Sequence, residues 1–324
     1  MQKPSEILQI IHDGIEAMPK GLKPEGLYAP IDYVLSLGGK RLRPVLMLMA
    51  YNMYRDDVQS VLPTALGVEI FHNFTLLHDD LMDRAEVRRG QPCVHKKWND
   101  NTAVLCGDNM LVMAFQYMAK CPEKYLGEVL RIFTQTAIEI DEGQQMDVDF
   151  EHRDDVTEAE YMEMIRLKTS VLLACALKIG AVLGDAPAED ADSLYSFGEK
   201  LGLAFQLQDD YLDVYGDFNT FGKRIGGDIL CNKKTFMLVN ALSHATKAQH
   251  DDLEMWLSVS EGREEEKVAA VTNIFTEVGV DKMALDRIND YFAEAGQALA
   301  KVNLPSERKQ LLWDYAMHLL GRQS

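Results

Sequence analysis

The chain has 324 residues, 47% of them hydrophobic, enough for a substantial core in one large domain or two ordinary ones. Its 51 acidic and 33 basic residues give a net charge of −18 and a pI near 4.8, which argues against a nucleic-acid backbone or an anionic membrane surface as partner, since both reward a broad basic face. Five scattered cysteines without a C-x-x-C pair support neither a disulfide framework nor a zinc site, and fit a reducing cytoplasm.

Apolar residues recur at three and four rather than two, so the sequence predicts an all-α protein that needs no sheet. Breaks fall at 19–30, 38–39, 55–60, 88–101, 122, 151–155, 184–187, 216–228, 261–262 and 303–305, leaving about ten helices. Thr157 and Glu160 form a capping box that marks the start of the helix carrying Lys168 and Thr169. No break is long or biased enough for a linker, so residues 1–324 read as a single domain. The apolar stretch 171–184 contains Lys178 and is too short to span a bilayer, so no membrane anchor is expected. The run 263–267 reads as a solvated helix face.

The first candidate site is Gly38-Gly39-Lys40-Arg41-Leu42-Arg43-Pro44, a glycine pair, three cations and a proline fit to open a helix. Backbone N–H groups, a lysine point charge and arginine forks would clamp a terminal phosphate. The bare pattern is weak, because basic turns before helices are common and usually solvated, and the same holds for Arg88-Arg89-Gly90. Between them stands Asp79-Asp80-Leu81-Met82-Asp83, and 130 residues after Asp79 comes Asp209-Asp210-Tyr211-Leu212-Asp213. In each D-D-x-x-D the first and last carboxylates lie one helical turn apart, a geometry that grips Mg2+ and leaves positions for water and phosphate. One such pattern is most often an exposed helix end. Two, each after an apolar lead-in that buries its helix, point to a metal-bound diphosphate between two helices.

On an ideal wheel, His72 and Leu76 extend the Asp79/Asp83 stripe and Gln206 extends the Asp209/Asp213 stripe. His72 precedes Asp79 by about 10 Å along the axis, the reach of a second anion group. Taken alone, it reads as a hydrogen-bonded core histidine.

In order, G-G-K-R-x-R-P, D-D-x-x-D with R-R-G-x-P, the pair Lys168-Thr169 and F-Q-x-Q-D-D-x-x-D resemble the trans-isoprenyl diphosphate synthases of the polyprenyl synthetase family. The resemblance runs from about residue 38 to 234, and Gly107-Asp108, Gly143-Gln144 with Asp147, and Gly222-Lys223 before Gly226-Gly227-Asp228 extend it. It implies an all-α helical bundle of the isoprenoid synthase type with a central cavity, and a homodimer. Three Mg2+ ions would be ligated by Asp79, Asp83 and Asp209, with Asp80, Asp210 and Asp213 either ligating or orienting water. Gly39, Lys40, Arg43, His72 and Arg89 would hold the diphosphate of isopentenyl diphosphate, and Arg88, Lys168, Lys223 and Lys233 that of the allylic substrate. Thr169 and Gln206 would face the reacting carbons. The reaction implied is ionisation of the allylic diphosphate, attack by the isopentenyl double bond and loss of a proton to the departing pyrophosphate.

Product length is expected to depend on Phe74 and Thr75, five and four residues before Asp79. A bulky aromatic at the first of these positions stops chains short in the family, so Phe74 implies a C15 or C20 product, although the wheel turns Phe74 away from the carboxylate stripe and Thr75 toward it. The first motif lacks the two-residue insertion of many bacterial farnesyl synthases, which leans toward C20. The 223–228 segment is one residue longer than the commonest short-chain form, which loosens the assignments of Lys223 and Lys233. Among rivals, a di-iron bundle matches only half its ligand signature, Glu69-x-x-His72. A terpene cyclase would lack the basic loop, and a non-catalytic family member would lack the acidic motifs.

Overall fold

A computed structural model describes residues 1–216, 225–259 and 262–321. Among the described residues are sixteen α-helices, one 3-10 turn (Val58–Val61), one π-helical turn and a single two-stranded hairpin, so the fold is all-α as expected. Cα packing divides the chain into two units interleaved along the sequence. Unit 1 comprises Met1–Thr134, Cys175–Asp192 and Leu304–Leu312, and unit 2 comprises Gln135–Ala174, Ser193–Asn303 and Trp313–Ser324.

Unit 1 is built from α1 (Pro4–Glu16), α2 (Glu25–Ser36), α3 (Leu42–Asn52), α4 (Leu62–Met82), α5 (Val94–Lys97), α6 (Asp100–Met118) and the first part of α7 (Glu123–Phe150). Helix α4 is buried on every side from Thr64 to Phe71, because α1, α3 and α6 all pack against it. It runs antiparallel to α6: a Cβ on Gly67 would meet Ala114 and Met118, while one on Gly107 would lie 2.0 Å from the His78 ring. Hence these two glycines permit close axial approach. Asn99 caps α6, accepting from the Thr102 N–H at 2.9 Å.

The expected break at 19–30 closes early, because α2 begins at Glu25 and carries Pro30 inside it, buried. The region after α4 also holds a feature the apolar pattern does not announce. Strands β1 (Val87–Arg88) and β2 (Gln91–Pro92) pair antiparallel around Arg89 and Gly90, both at positive φ, as a two-residue hairpin turn requires.

Unit 2 holds the end of α7, then α8 (Glu158–Ile165), the π-helical turn Arg166–Ser170, the start of α9 (Val171–Leu183) and most of α10 (Ala188–Tyr215). It continues with α11 (Gly227–Leu230), α12 (Phe236–His244), α13 (Lys247–Leu257), α14 (Glu264–Val278) and α15 (Val280–Ala300), before the end of α16 (Ser306–Gly321). The Thr157–Glu160 capping box starts α8. Tyr161, Leu207, Phe236, Val271, Phe275 and Val280 lie in its core, each large apolar side chain contributing about 1.5–3 kcal/mol.

Candidate diphosphate and metal sites

His72 in unit 1 feels the charges of four guanidinium groups, of which Arg43 touches it. The glycine pair turns the chain into α3 through positive φ at Gly38 and Gly39, and Arg43 in the first turn of α3 donates to His72 Nε2 at 3.1 Å. The Arg89 guanidinium lies over Gly39, where a Cβ would come within 2.8 Å of it, and donates to the Gly38 carbonyl. Burial, then the charges of Arg43, Arg89, Arg88 and Arg41, hold His72 well below the usual histidine range. The ring is therefore neutral at pH 7, with its proton on Nδ1 and Nε2 accepting. Burial, reinforced by Arg89 and opposed by Glu69, also brings Arg43 down to about 10. Arg41 and Arg88 are paired with Glu69 and Asp80, so Arg43 and Arg89 are the guanidinium groups left to cradle a polyanion. Lys40 is exposed beside it, without a partner among the described residues.

At the end of α4, Asp80 turns inward. Arg88 brackets it, with Nε at 2.8 Å from both carboxylate oxygens and NH2 at 2.7 Å from Oδ1, while NH2 stands 3.7 Å from Asp79 Oδ2. Burial works against the Arg88 charge, but the bonds and charge of Asp80 outweigh it and raise its pKa. The hairpin thus splits neighbouring arginines between the two groups, Arg88 to the acidic motif and Arg89 to the glycine loop. Asp79 and Asp83 lie on the more solvated side. Phe74 packs edge-on against His78 at 4.9 Å and tilted against Phe71 at 5.5 Å. The Thr75 hydroxyl donates to the His72 carbonyl at 2.9 Å.

In unit 2 the middle aspartate of the second motif is also turned inward, into different company. Asp210 accepts from the Tyr161 hydroxyl, from the Phe236 N–H at 3.1 Å and from Gln206 Nε2 at 3.2 Å. No cation pairs with it among the described residues, and burial, reinforced by the charge of Asp228, lifts its carboxyl to about 7. Asp213 accepts the Asp228 N–H at 3.0 Å, while Asp209 is half-buried on the neighbouring face of α10. Lys168 lies on the π-helical turn and bonds Asp147 Oδ2 at 2.5 Å, with Thr169 half-buried beside it. A Cβ on Gly143 would stand 2.4 Å from the Lys168 backbone N, and one on Gly202 2.6 Å from Ser170 Cα. Glycines on α7 and α10 thus admit the widened turn, a feature frequent at functional sites. Lys233 is exposed, its N–H bonded to the Asp228 carbonyl at 2.9 Å. Lys223 lies outside the described residues.

The carboxylate donors suit a hard, oxygen-seeking ion such as Mg2+. Neither acidic motif by itself brings three such ligand atoms within reach of one ion among the described residues. Three ligand atoms do come together in His250, Asp251 and Glu254 on α13, one of them an imidazole nitrogen, but two of these residues are exposed and the cluster belongs to neither motif.

Sequence reasoning missed Tyr161, since nothing in its neighbourhood announces a role 49 residues from Asp210. It also counted Arg41 among the forks of the phosphate clamp, whereas its guanidinium is buried against Glu69, which the sequence offered only as half of a di-iron signature. A charged residue spaced with polar neighbours on an otherwise buried helix face, as Glu69 is on α4, was the available signal.

The Polyprenyl synthetase family profile matches residues 24–275. The chain belongs to that family. A geranylgeranyl diphosphate synthase of Methanosarcina mazei is 39% identical over 307 residues, covering 93% of this chain and 91% of the relative. A geranylfarnesyl diphosphate synthase of Natronomonas pharaonis is 36% identical, covering 98% and 96%. The fold is similar to a crystal structure of a geranylgeranyl pyrophosphate synthase, with a TM-score of 0.95, 41% identity and full coverage of both chains. As a polyprenyl synthetase the protein is a prenyltransferase, and the family uses Mg2+. No described helix is long and apolar enough to cross a membrane.

Proposed function

We propose that the protein condenses isopentenyl diphosphate with an allylic diphosphate, releasing pyrophosphate and making a trans prenyl diphosphate of 15 to 20 carbons, with C20 the main product. The observation that carries this is the placing of Arg43 against His72 and of Arg89 on the glycine loop, beside the exposed Lys40, next to the helix that ends in the first D-D-x-x-D. A site so positive calls for a ligand bearing several negative charges, and a bound diphosphate would let His72 take up a proton and donate as well.

Gly39, Lys40, Arg43, His72 and Arg89 hold the isopentenyl diphosphate. Arg88, Lys168 and Lys233 hold the allylic diphosphate, with Lys223 assigned by family position alone. Asp79, Asp83 and Asp209 ligate magnesium, three ions in all, which when bound neutralise the leaving diphosphate. Asp80 and Asp213 act by orientation, the first through Arg88 and the second through the Asp228 N–H. Asp210 anchors Gln206, whose amide nitrogen is directed at it, leaving the amide oxygen to face the positive carbon together with the Thr169 hydroxyl. No side-chain base is needed, because the departing pyrophosphate takes the proton. Phe74, with Thr75 beside it, stops the growing tail. Residues 1–324 work as one synthase domain, as a homodimer in the cytoplasm.

The test is incubation with isopentenyl diphosphate, Mg2+ and each of the C5, C10 and C15 allylic diphosphates, read by product chromatography and pyrophosphate release. A C20 product is expected, lengthened by Phe74→Ala. No pyrophosphate from any starter would sink the synthase reading, and unchanged length in Phe74→Ala would remove Phe74 as the stop.

A further inference from the structure

Unit 1 contains a buried ion pair that neither the diphosphate site nor the metal site uses. Arg41 donates from NH1 to Glu69 Oε1 at 2.6 Å and from NH2 to the Leu35 carbonyl at 2.7 Å. Only 2% of either side chain reaches solvent. Glu69 Oε1 also accepts from Asn73 Nδ2 at 2.7 Å. In making this pair Arg41 adopts φ 46° and ψ 35°, a left-handed conformation that residues with a Cβ avoid. Glu69 Oε2 and Arg41 Nε have no hydrogen-bond partner among the described residues.

A strained backbone and an incompletely satisfied pair make a poor stabiliser, because taking two charges out of water costs about as much as their attraction returns. What the pair fixes is register. Arg41 stands between Lys40 and Arg43 on the glycine loop, and Glu69 stands one turn before His72 and Asn73 on α4. An inner bridge from Arg41 to Glu69 and an outer bridge from Arg43 to His72 therefore tie the same loop to the same stretch of helix.

We propose that Arg41 and Glu69 form a positioning pair: without touching substrate, they seat the 38–43 loop on α4 so that Gly39, Lys40, Arg43 and His72 meet one diphosphate. The inference rests on the proposed synthase activity. Its test is the double variant Arg41→Met/Glu69→Leu, which removes both charges and keeps apolar bulk, so that folding is retained. With the allylic substrate saturating, KM for isopentenyl diphosphate is expected to rise at least about tenfold, while KM for the allylic substrate and the product length stay as in the wild type. Calorimetric binding of isopentenyl diphosphate should weaken in parallel, a readout independent of turnover. Glu69→Asp, which keeps the charge but draws the carboxylate back by one methylene, should fall between. A folded double variant whose isopentenyl KM and Kd match the wild type overturns the proposal, and so does an equal rise in both KM values, which marks a general scaffold. If the double variant melts below the assay temperature, Glu69→Asp is judged by the same split. An inactive wild type would defeat the synthase reading itself, whereas an active wild type with an unaffected variant defeats only the positioning pair.

Discussion

Asp80 and Asp210 hold the same place in two copies of one acidic motif, each turned away from the first and last carboxylates and each buried. Asp80 meets the guanidinium of Arg88, delivered by a hairpin eight residues downstream. Asp210 meets a phenol, a backbone N–H and an amide, and its carboxyl is lifted to about 7. One motif is therefore wired to a cation, and the other to neutral donors. A repeated pattern of residues does not make a repeated electrostatic site, because the pattern fixes only which way the carboxylates face and not what is waiting there.

The largest expected effect tests that contrast directly. Asp80→Asn keeps the shape but withdraws charge-assisted bonds from Arg88, and with Arg88 partly solvated the loss should be about 2 kcal/mol. Asp210→Asn imitates a protonated carboxyl, and Gln206 can turn its amide to present oxygen to the new NH2 group. Its cost should be under about 1 kcal/mol. Chemical denaturation of the two metal-free variants at pH 6 measures both, and equal losses would erase the distinction.

The contrast also shows how far the residues alone could be read. Helical periodicity, the Thr157–Glu160 capping box and the placement of both motifs on helices were legible because they depend on near neighbours along the chain. The string Lys40-Arg41-Leu42-Arg43 looked like three equivalent surface cations. That its middle member is buried depends on Glu69, 28 residues away, standing opposite it. Tyr161 was invisible for the same reason. Pro30 reads as a break because its ring removes one helical hydrogen bond, yet tertiary packing keeps it inside α2. The hairpin was hidden because its strands are two residues long, too short for any alternation to register.

A smaller effect separates the guanidinium-rich surroundings of His72 from those of Asp210, which hold no paired cation among the described residues. His72 is depressed when folded, so below its unfolded pKa of 6.5 the unfolded chain takes up a proton that the native ring refuses. Its contribution to stability is present above pH 6.5 and is lost on acidification, by at most about 1.4 kcal/mol at pH 5.5. His72→Gln keeps an acceptor for Arg43 and cannot titrate, so its stability relative to wild type should improve from pH 7.5 to 5.5 by about that amount. Added inorganic pyrophosphate should raise the His72 pKa, seen in the imidazole proton shifts. A relative stability that does not change with pH would mean that the arginines do not act on His72 as the geometry says.

The smallest effect concerns the phenol over Asp210. Tyr161→Phe deletes one donor and leaves the Phe236 N–H on the same oxygen, so the ring stays packed and no cavity opens. Near pH 5.5 the carboxyl, raised to about 7, is mostly neutral, and the lost bond should cost about 0.5 kcal/mol. At pH 8 the group is charged and the same phenol stabilises it more strongly, so the cost should rise to about 1 kcal/mol. The tyrosine therefore lowers the Asp210 pKa, opposite in sign to the burial that raises it, and its removal should push that pKa above 7. A cost that does not change between the two pH values would mean that Asp210 keeps one protonation state across that range, and burial would then not hold its carboxyl near 7.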